Sequence, residues 1–526
     1  MLGCWIKRLS PPSEPTYCFL DDTAAISIAT MLLKGTVLAS LLASASAQTW
    51  RNLPGSNHAL GQPWGYASEV SWPPTSSIGK ALVPQKPDSL TSEILAEIDP
   101  SRMRAIVEKL VSFGTRHTLS QTNSTTRGIG AAREWIRHQM LGFAEESDGR
   151  MDVFFNSYIQ TPASRIPFNV NITNVVARIN GTTDPDRVYV VTGHYDSRRL
   201  DVMDYTGDAP GADDDASGVA VVMEMARICA KLKPAATMVF AAVAAEEQGL
   251  YGSDHLAKTL KAEGANVEGH WNNDIVGQGS FKPFAPINRH TVRLFGASIL
   301  YPNTSSATYD REIGIIGGEN DSPARNLGRF TAEIVAGAVK DVDMQVALIY
   351  RADRYLRSGD HVSFLQQGFP AVRFTEAVED YTHQHQDPRV QNGTQYGDLV
   401  EFVDFEYNAR VGRTNLAAMW SAANAPRMPV NVTISQSIGI PAANESTPLS
   451  IVNNLSGFNW ATGNDAMVDC YELVWRVAGA LQWSHVLNVG NTNSVVVDLP
   501  KDDLQFGVRA VGHDGKRSPA VFPLPE

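Results

Sequence analysis

Two neighbouring stretches of this chain are apolar on nearly every side, and few folds can bury both. Gly218–Cys229 has helical length and Thr237–Val243 has strand length. A strand covered on one face alternates apolar and polar residues; a run without alternation is covered on both. Asn174–Ile179, Arg187–Thr192 and Ala371–Thr375 are further runs that read as strands. Helical patterns lie among them. Asp99-Pro100 reads as a cap with Pro at the first helical position. Met103, Ile106, Val107, Leu110 and Val111 follow at the spacing of one helix face. Ala131–Leu141 (Trp135 and Ile136 inward), Ser253–Leu260 and Tyr407–Ala423 continue the series. This alternation predicts an α/β fold, a mostly parallel sheet flanked by helices.

The chain has 526 residues, 43% hydrophobic and 19% charged, a globular balance long enough for two or three domains. Beyond Pro426-Arg-Met-Pro429, which reads as a linker, the pattern changes to short strands with turn signals. These are Val430–Ser435, Gly457–Trp460, Cys470–Val477, Ser494–Leu499 and Leu504–Val511, with Asp514-Gly515 as a tight turn. Residues 430–526 are expected to form a C-terminal β-sandwich. That segment resembles a fibronectin type III domain. Trp460 suits the core Trp, Tyr471–Trp475 a central strand and Phe506–Ala510 the penultimate one, although Leu504 stands where that family usually has Tyr.

The compartment is legible near the start. Lys34, the apolar Val37–Leu42 and Ala45-Ser46-Ala47 give the order of a signal peptide over residues 31–47. Residues 1–30 carry Pro11, Pro12, Pro15, Asp21 and Asp22, which do not belong ahead of one, so they read as a doubtful N-terminal extension. Residues 48–89, rich in Pro, Gly, Ser and Trp, read as an irregular arm. Nine Asn-x-Ser/Thr sequons (Asn123, Asn171, Asn180, Asn303, Asn320, Asn392, Asn431, Asn444 and Asn454) are compatible with a secreted, extracellular glycoprotein. Of four cysteines, Cys4 and Cys18 precede the leader's end; Cys229 and Cys470 are expected as buried thiols. A net charge of −12 without a long basic run argues against nucleic acid as a partner. No apolar run has the length of a membrane span.

Acids and histidines cluster just after predicted strands, where α/β sheets place their sites. The segments are Gly193-His194-Tyr-Asp196, Pro210-Gly-Ala-Asp213-Asp214-Asp215-Ala-Ser-Gly218, Ala245-Glu246-Glu247-Gln-Gly-Leu-Tyr-Gly252, His270-Trp-Asn-Asn-Asp274 and Tyr381-Thr-His383-Gln-His385-Gln-Asp387. Each has an ordinary reading. A lone His at a strand end is more often a core or surface residue, Asp213–Asp215 could cap the next helix, and Glu246-Glu247 could be an exposed pair. Five in order are harder to dismiss. Imidazole with carboxylates suits Zn²⁺, and a carboxylate can bridge two metals.

In that order the motifs resemble the two-zinc exopeptidase family of secreted leucyl aminopeptidases, aminopeptidase Y and glutamate carboxypeptidase, over roughly residues 101–425. The resemblance implies a zinc peptidase domain at 90–425 holding two Zn²⁺ per chain. His194 and Asp274 would bind one zinc, Glu247 and His383 the other, and Asp214 would bridge. His383, not His385, gives the family's four-residue step to an Asp, at Asp387. Asp196 would orient His194, and Glu246 would be the general base. Thr382 stands where some relatives carry an oxyanion-stabilising Tyr.

The implied function is a secreted zinc metallopeptidase acting on peptide or protein substrates. A carboxypeptidase needs fixed cations for the terminal carboxylate; Arg351, Arg354, Arg357 and Arg373 are the candidates. The 20-residue step from His194 to Asp214, and Asp360-His361, resemble the aminopeptidase branch instead, though an exposed loop pair accounts for Asp360-His361 equally well. The expectation is an aminopeptidase. The alternatives are a carboxypeptidase of the same family, or a non-catalytic receptor or adhesion protein working by surface or matrix contact through its C-terminal domain.

Overall fold

The computed structural model describes residues 78–279, 289–298, 313–435, 455–462 and 465–526. The signal segment at 31–47 and the extension before it lie outside them. In chain order the elements are β1 (Lys80–Ala81), α1 (Ser89–Ala96), α2 (Pro100–Val111), α3 (Ile129–Glu145), β2 (Met151–Gln160), β3 (Val170–Ile179), β4 (Asp184–His194), α4 (Ala216–Ala230), β5 (Ala236–Val243), α5 (Tyr251–Ala262) and β6 (Asn266–Asn273). There follow β7 (Thr291–Gly296), α6 (Pro323–Gly337), α7 (Val339–Val342), β8 (Gln345–Ile349), α8 (His361–Gln366), β9 (Ala371–Glu376), β10 (Arg389–Gln391), β11 (Thr394–Tyr396) and α9 (Phe405–Asn424).

Eight strands form one sheet in the order β2-β3-β5-β4-β6-β9-β7-β8. The centre, β5-β4-β6-β9, is parallel. β2, β3 and the β7–β9 contact are antiparallel, while β8 pairs parallel to β7. The sheet is therefore mixed, and the expectation of a mostly parallel one holds for its core. Every residue of β5 is buried. Met238, Phe240 and Ala242 face the larger core with α1–α4, α6 and α9. Val239, Ala241 and Val243 face the opposite core, with α5 and α8. Side chains alternate across a strand, so a strand covered on both faces has no polar position to spare.

Caps mark the helix starts. Asp99 accepts from Ser101 N at 2.8 Å ahead of α2, and Asp215 accepts from Gly218 N at 3.0 Å ahead of α4. All of α4 except Arg227 is buried, as its composition requires. Among the described residues no helix is long and apolar enough to cross a membrane. Cys229 and Cys470 are both free and buried.

The C-terminal region adds β12 (Val430–Ile434), β13 (Leu455–Ala461), β14 (Val468–Val477), β15 (His485–Gly490), β16 (Ser494–Asp498), β17 (Leu504–Gly512) and β18 (Leu524–Pro525). They form two four-stranded sheets, β16-β13-β12-β18 and β1-β15-β14-β17. Val432, Phe458 and Trp460 from one pack with Leu473, Trp475 and Phe506 from the other in a single core. The arm is not wholly irregular: its Lys80 and Ala81 pair with Val486 and His485.

Candidate metal centre

Four catalytic-type segments leave the ends of parallel strands that lie side by side. His194 ends β4, Glu246 and Glu247 follow β5, Asp274 follows β6, and the loop after β9 carries the late histidines. Ends of adjacent parallel strands form the crevice where α/β sheets hold their ligands.

Two groups of donors converge there, His194 with Asp214 and Asp274, and Asp214 with Glu247 and His385, the donor atoms within 4.8 Å of one another in each. His194 Nε2 lies 3.1 Å from Asp214 Oδ1 and 3.9 Å from Asp274 Oδ2. His385 Nε2 lies 2.9 Å from Asp214 Oδ2 and 3.1 Å from Glu247 Oε1. Asp214 thus turns one oxygen to each group. His194, Asp214, Glu247 and Asp274 are buried. His194 Nε2 and Glu247 Oε1 are buried without hydrogen-bond partners, a cost native proteins seldom leave uncompensated. Two imidazoles and three carboxylates around such orphaned atoms fit zinc, with Asp214 common to both donor groups.

The electrostatics point the same way. Burial disfavours a charged His194, yet Asp215, Asp196 and Asp214 hold its pKa well above the usual value. Burial likewise opposes protonation of His385, but Glu247 and Asp214 raise its pKa to about 10. For Asp214 the burial penalty is overruled by His385 and His194, which hold the carboxyl well below its ordinary range. This is an acid cluster that calls for positive charge.

The late histidine differs from the sequence expectation. His383 is in neither group. Its ring stacks on Phe402 with centroids 3.7 Å apart, and Nδ1 lies 3.3 Å from Asp380 Oδ2. Asp387, which made His383 the choice, instead binds Arg199 Nε at 3.0 Å. His385 has a left-handed backbone, φ 59°, in the turn that carries its ring to Asp214. The four-residue step to Asp387 is the one sequence signal that separates these two histidines, and it points to the wrong one; the turn places His385 instead.

The outer acids of the triplet have structural work. Asp215 accepts from His194 N at 2.9 Å while capping α4. Asp213 accepts from Gly277 N at 2.6 Å, and burial raises its pKa to about 6 against the opposing hydrogen bonds from Glu376, Gly277 and Ser217. Two supports had no signal in the sequence. Asp398 accepts from Asp213 N at 2.8 Å and Asp214 N at 2.7 Å, one bond to each oxygen. Arg116, fully buried, donates to the Gly211 carbonyl at 2.7 Å and the Tyr195 carbonyl at 2.8 Å.

Asp196 does more than hold the imidazole. Its carbonyl lies 3.1 Å from His194 Nδ1, and its carboxylate accepts from the amides of Glu246 and Glu247, both at 3.2 Å. Glu246 belongs to neither donor group and is half-buried at the rim. Burial pushes its pKa well up, opposed by His194 and reinforced by Asp274, Glu247 and Asp360.

Other residues singled out in the sequence sit as follows. Asp360 and His361 are fully buried, not an exposed pair. Thr382 Oγ1 donates to Asp380 Oδ1 at 2.7 Å, so its hydroxyl is engaged in its own turn. Arg354 and Arg357 both bind Glu379 Oε2, at 2.9 and 3.0 Å. Arg373 is buried between Asp274 and Asp353, and Arg351 lies over the Tyr355 ring. Arg354 and Arg357 share Glu379, and Arg354 and Arg373 share Asp353, so three of the four face acids of the chain itself.

Comparison with known proteins places the same region. The pattern of Peptidase family M28 matches residues 174–399. The chain is 51% identical over 463 residues to a protein of Pyrenophora teres f. teres described as "Probable zinc metalloprotease", covering 87% of this chain and 91% of that one. It is 53% identical over 468 residues to a Pyricularia oryzae protein of the same description, covering 87% and 89%. Among solved structures, the Legionella pneumophila LapA aminopeptidase aligns at 17% identity and a TM-score of 0.46, over 66% of this chain and 78% of that one.

Proposed function

This chain belongs to peptidase family M28 as a zinc metalloprotease, and we propose that it is a secreted aminopeptidase working with two zinc ions. The observation that carries the reading is the shared carboxylate, Asp214, with one oxygen toward His194 and the other toward His385. In this reading His194, Asp214 and Asp274 would hold one zinc, and Asp214, Glu247 and His385 would hold the other. When bound, two zinc ions supply the Lewis acidity that makes water nucleophilic near neutral pH and polarises a substrate carbonyl.

The chain's own residues do the rest. Glu246, anchored through its amide to Asp196 and free of both donor groups, takes the proton from the attacking water and delivers it to the departing amine. Asp196 fixes the ring orientation of His194 and, through Glu247, ties the two donor groups to one support.

The amino-end preference is supported by what the arginines do. A carboxypeptidase needs a free cation for the substrate's carboxylate; Arg354, Arg357 and Arg373 are already paired with acids of this chain, and Arg351 lies over the Tyr355 ring. The acid-rich centre suits an α-ammonium group. Secretion and glycosylation rest on the leader-like segment and on the sequons: Asn123, Asn171, Asn180, Asn392 and Asn431 are exposed, whereas Asn320 is half-buried with its side-chain oxygen bound by Arg325. Asn303, Asn444 and Asn454 lie outside the described residues. The C-terminal pair of sheets is, in this reading, a fibronectin type III-like sandwich, fastened to the peptidase domain and available for surface or matrix contact.

One peptide offered with a free and with an acetylated N-terminus tests the proposal. Release of the first residue from the free form only is expected, and Glu246→Gln should lower the rate by about 10²–10⁴. Equal cleavage of both forms, beginning at the C-terminal residue, contradicts the aminopeptidase reading.

A further inference from the structure

Arg373 stands on β9 beside Asn272 of β6, two positions before Asp274. It is fully buried. Its Nη2 lies 2.8 Å from Asp274 Oδ1 and its Nη1 lies 3.0 Å from Asp353 Oδ2, while Nη1 also donates to the Ser358 carbonyl at 3.2 Å. Asp353 is itself held, accepting from Arg354 N at 2.6 Å and Arg354 Nε at 3.1 Å. Gly359 backs the guanidinium so closely that a Cβ there would lie 2.8 Å from Nη1 and 3.4 Å from Asp274 Oδ2. The guanidinium therefore cannot swing toward a substrate. The oxygen of Asp274 that it leaves unclaimed, Oδ2, is the one facing His194 Nε2.

The other donor group has no such brace. Arg165 reaches only the Glu247 carbonyl, at 2.9 Å; toward its carboxylate Arg198 Nη1 comes no closer than 4.0 Å from Oε2, and Oε1, facing His385, has no hydrogen-bond partner. We propose that Arg373, fixed by Asp353, is a positioning residue for one metal site only: it holds Asp274 Oδ1 so that the carboxylate presents Oδ2 alone to the ion shared with His194. A planar fork suits this task because it fixes two carboxylates at once in one orientation, which a lysine ammonium does not do. The inference rests on the two-zinc reading above.

Stepwise zinc binding to metal-stripped protein, in competition with a chromogenic chelator, tests it. His385→Ala isolates the Asp274 site and Asp274→Ala isolates the Glu247 site. In the first background the paired change Arg373→Met/Asp353→Asn, which removes the cation without stranding its counter-charge, should weaken zinc by about 10–100-fold. In the second background the same pair should leave affinity unchanged. Arg373→Lys should fall between, and cobalt(II) at the Asp274 site should change its visible absorption bands. Unchanged affinity at the Asp274 site, or equal loss at both, overturns the proposal while two-step binding by the wild type leaves the two-zinc reading standing. A wild type without two steps overturns both.

Discussion

Ala245 has a left-handed backbone, φ 59°, at the end of β5, just before the two glutamates take separate places. Glu247 turns in to His385, and Glu246 stays at the rim. A single turn thus separates a glutamate inside the donor groups from one outside them. His385, also left-handed, is the second such position, and it decides which of two neighbouring histidines serves the centre. His385→Ala should lose one zinc and nearly all turnover. His383→Ala should keep both ions, since its ring lies on Phe402. Zinc content of the two purified variants checks this, and exchanged phenotypes would return the ligand role to His383. Here the sequence ran out: members of the two donor groups were legible at His194, Asp214, Glu247 and Asp274 because each follows an apolar strand or opens a capped helix. His383 and His385 share one loop, and backbone geometry, not the step to Asp387, places the one that serves the centre. Asp398 and Arg116 were invisible for a related reason, because they act through backbone amides and carbonyls that any residue supplies.

The central strands are the elements whose patterns were most readable. β5 has no polar alternation because both its faces are covered, and Phe240, fully buried, packs among the helices of the larger core. Phe240→Ala should cost about 3–5 kcal/mol of stability, measured by denaturant unfolding. A change below about 1 kcal/mol would mean that this face of β5 is not packed as described. No strand range was read for β2, β7, β8 or the central β6, whose Glu268, His270, Asn272 and Asn273 interrupt its apolar pattern. β2 mixes Asp152, Asn156 and Gln160 with apolar residues and lies at the sheet edge, exposed at intervals, so its pattern is diluted. β8 is the opposite edge and only five residues long. Edge strands carry fewer obligatory apolar positions than central ones, and their sequence signal is correspondingly weak.

On the scale of the molecule, the described residues from 78 onward belong to one compact unit, and the C-terminal sheets are bound into it. The segment read as a linker is pinned: the Ala425 carbonyl accepts from Arg187 at 2.8 Å, and Arg427 pairs with Asp184. Buried ion pairs cross from α6 and the turn before it to the C-terminal sheets. Arg509 lies 2.8 Å from both Glu333 and Glu472, and Arg476 Nη2 lies 2.6 Å from Asp321 Oδ2. Breaking a buried pair by removing one partner leaves charge uncompensated. Arg509→Met should therefore lower stability by about 3–5 kcal/mol, read as an earlier unfolding midpoint; an unchanged midpoint would mean that this contact does not hold the parts together. All of this architecture serves a centre whose defining claim is one carboxylate shared by two ions. The direct measurement is zinc bound per chain, by elemental analysis after dialysis against metal-free buffer, for the wild type and Asp214→Ala. The account predicts two ions in the wild type and impaired occupancy of both sites in the variant. One ion or none in the wild type, or two retained by Asp214→Ala, would contradict it.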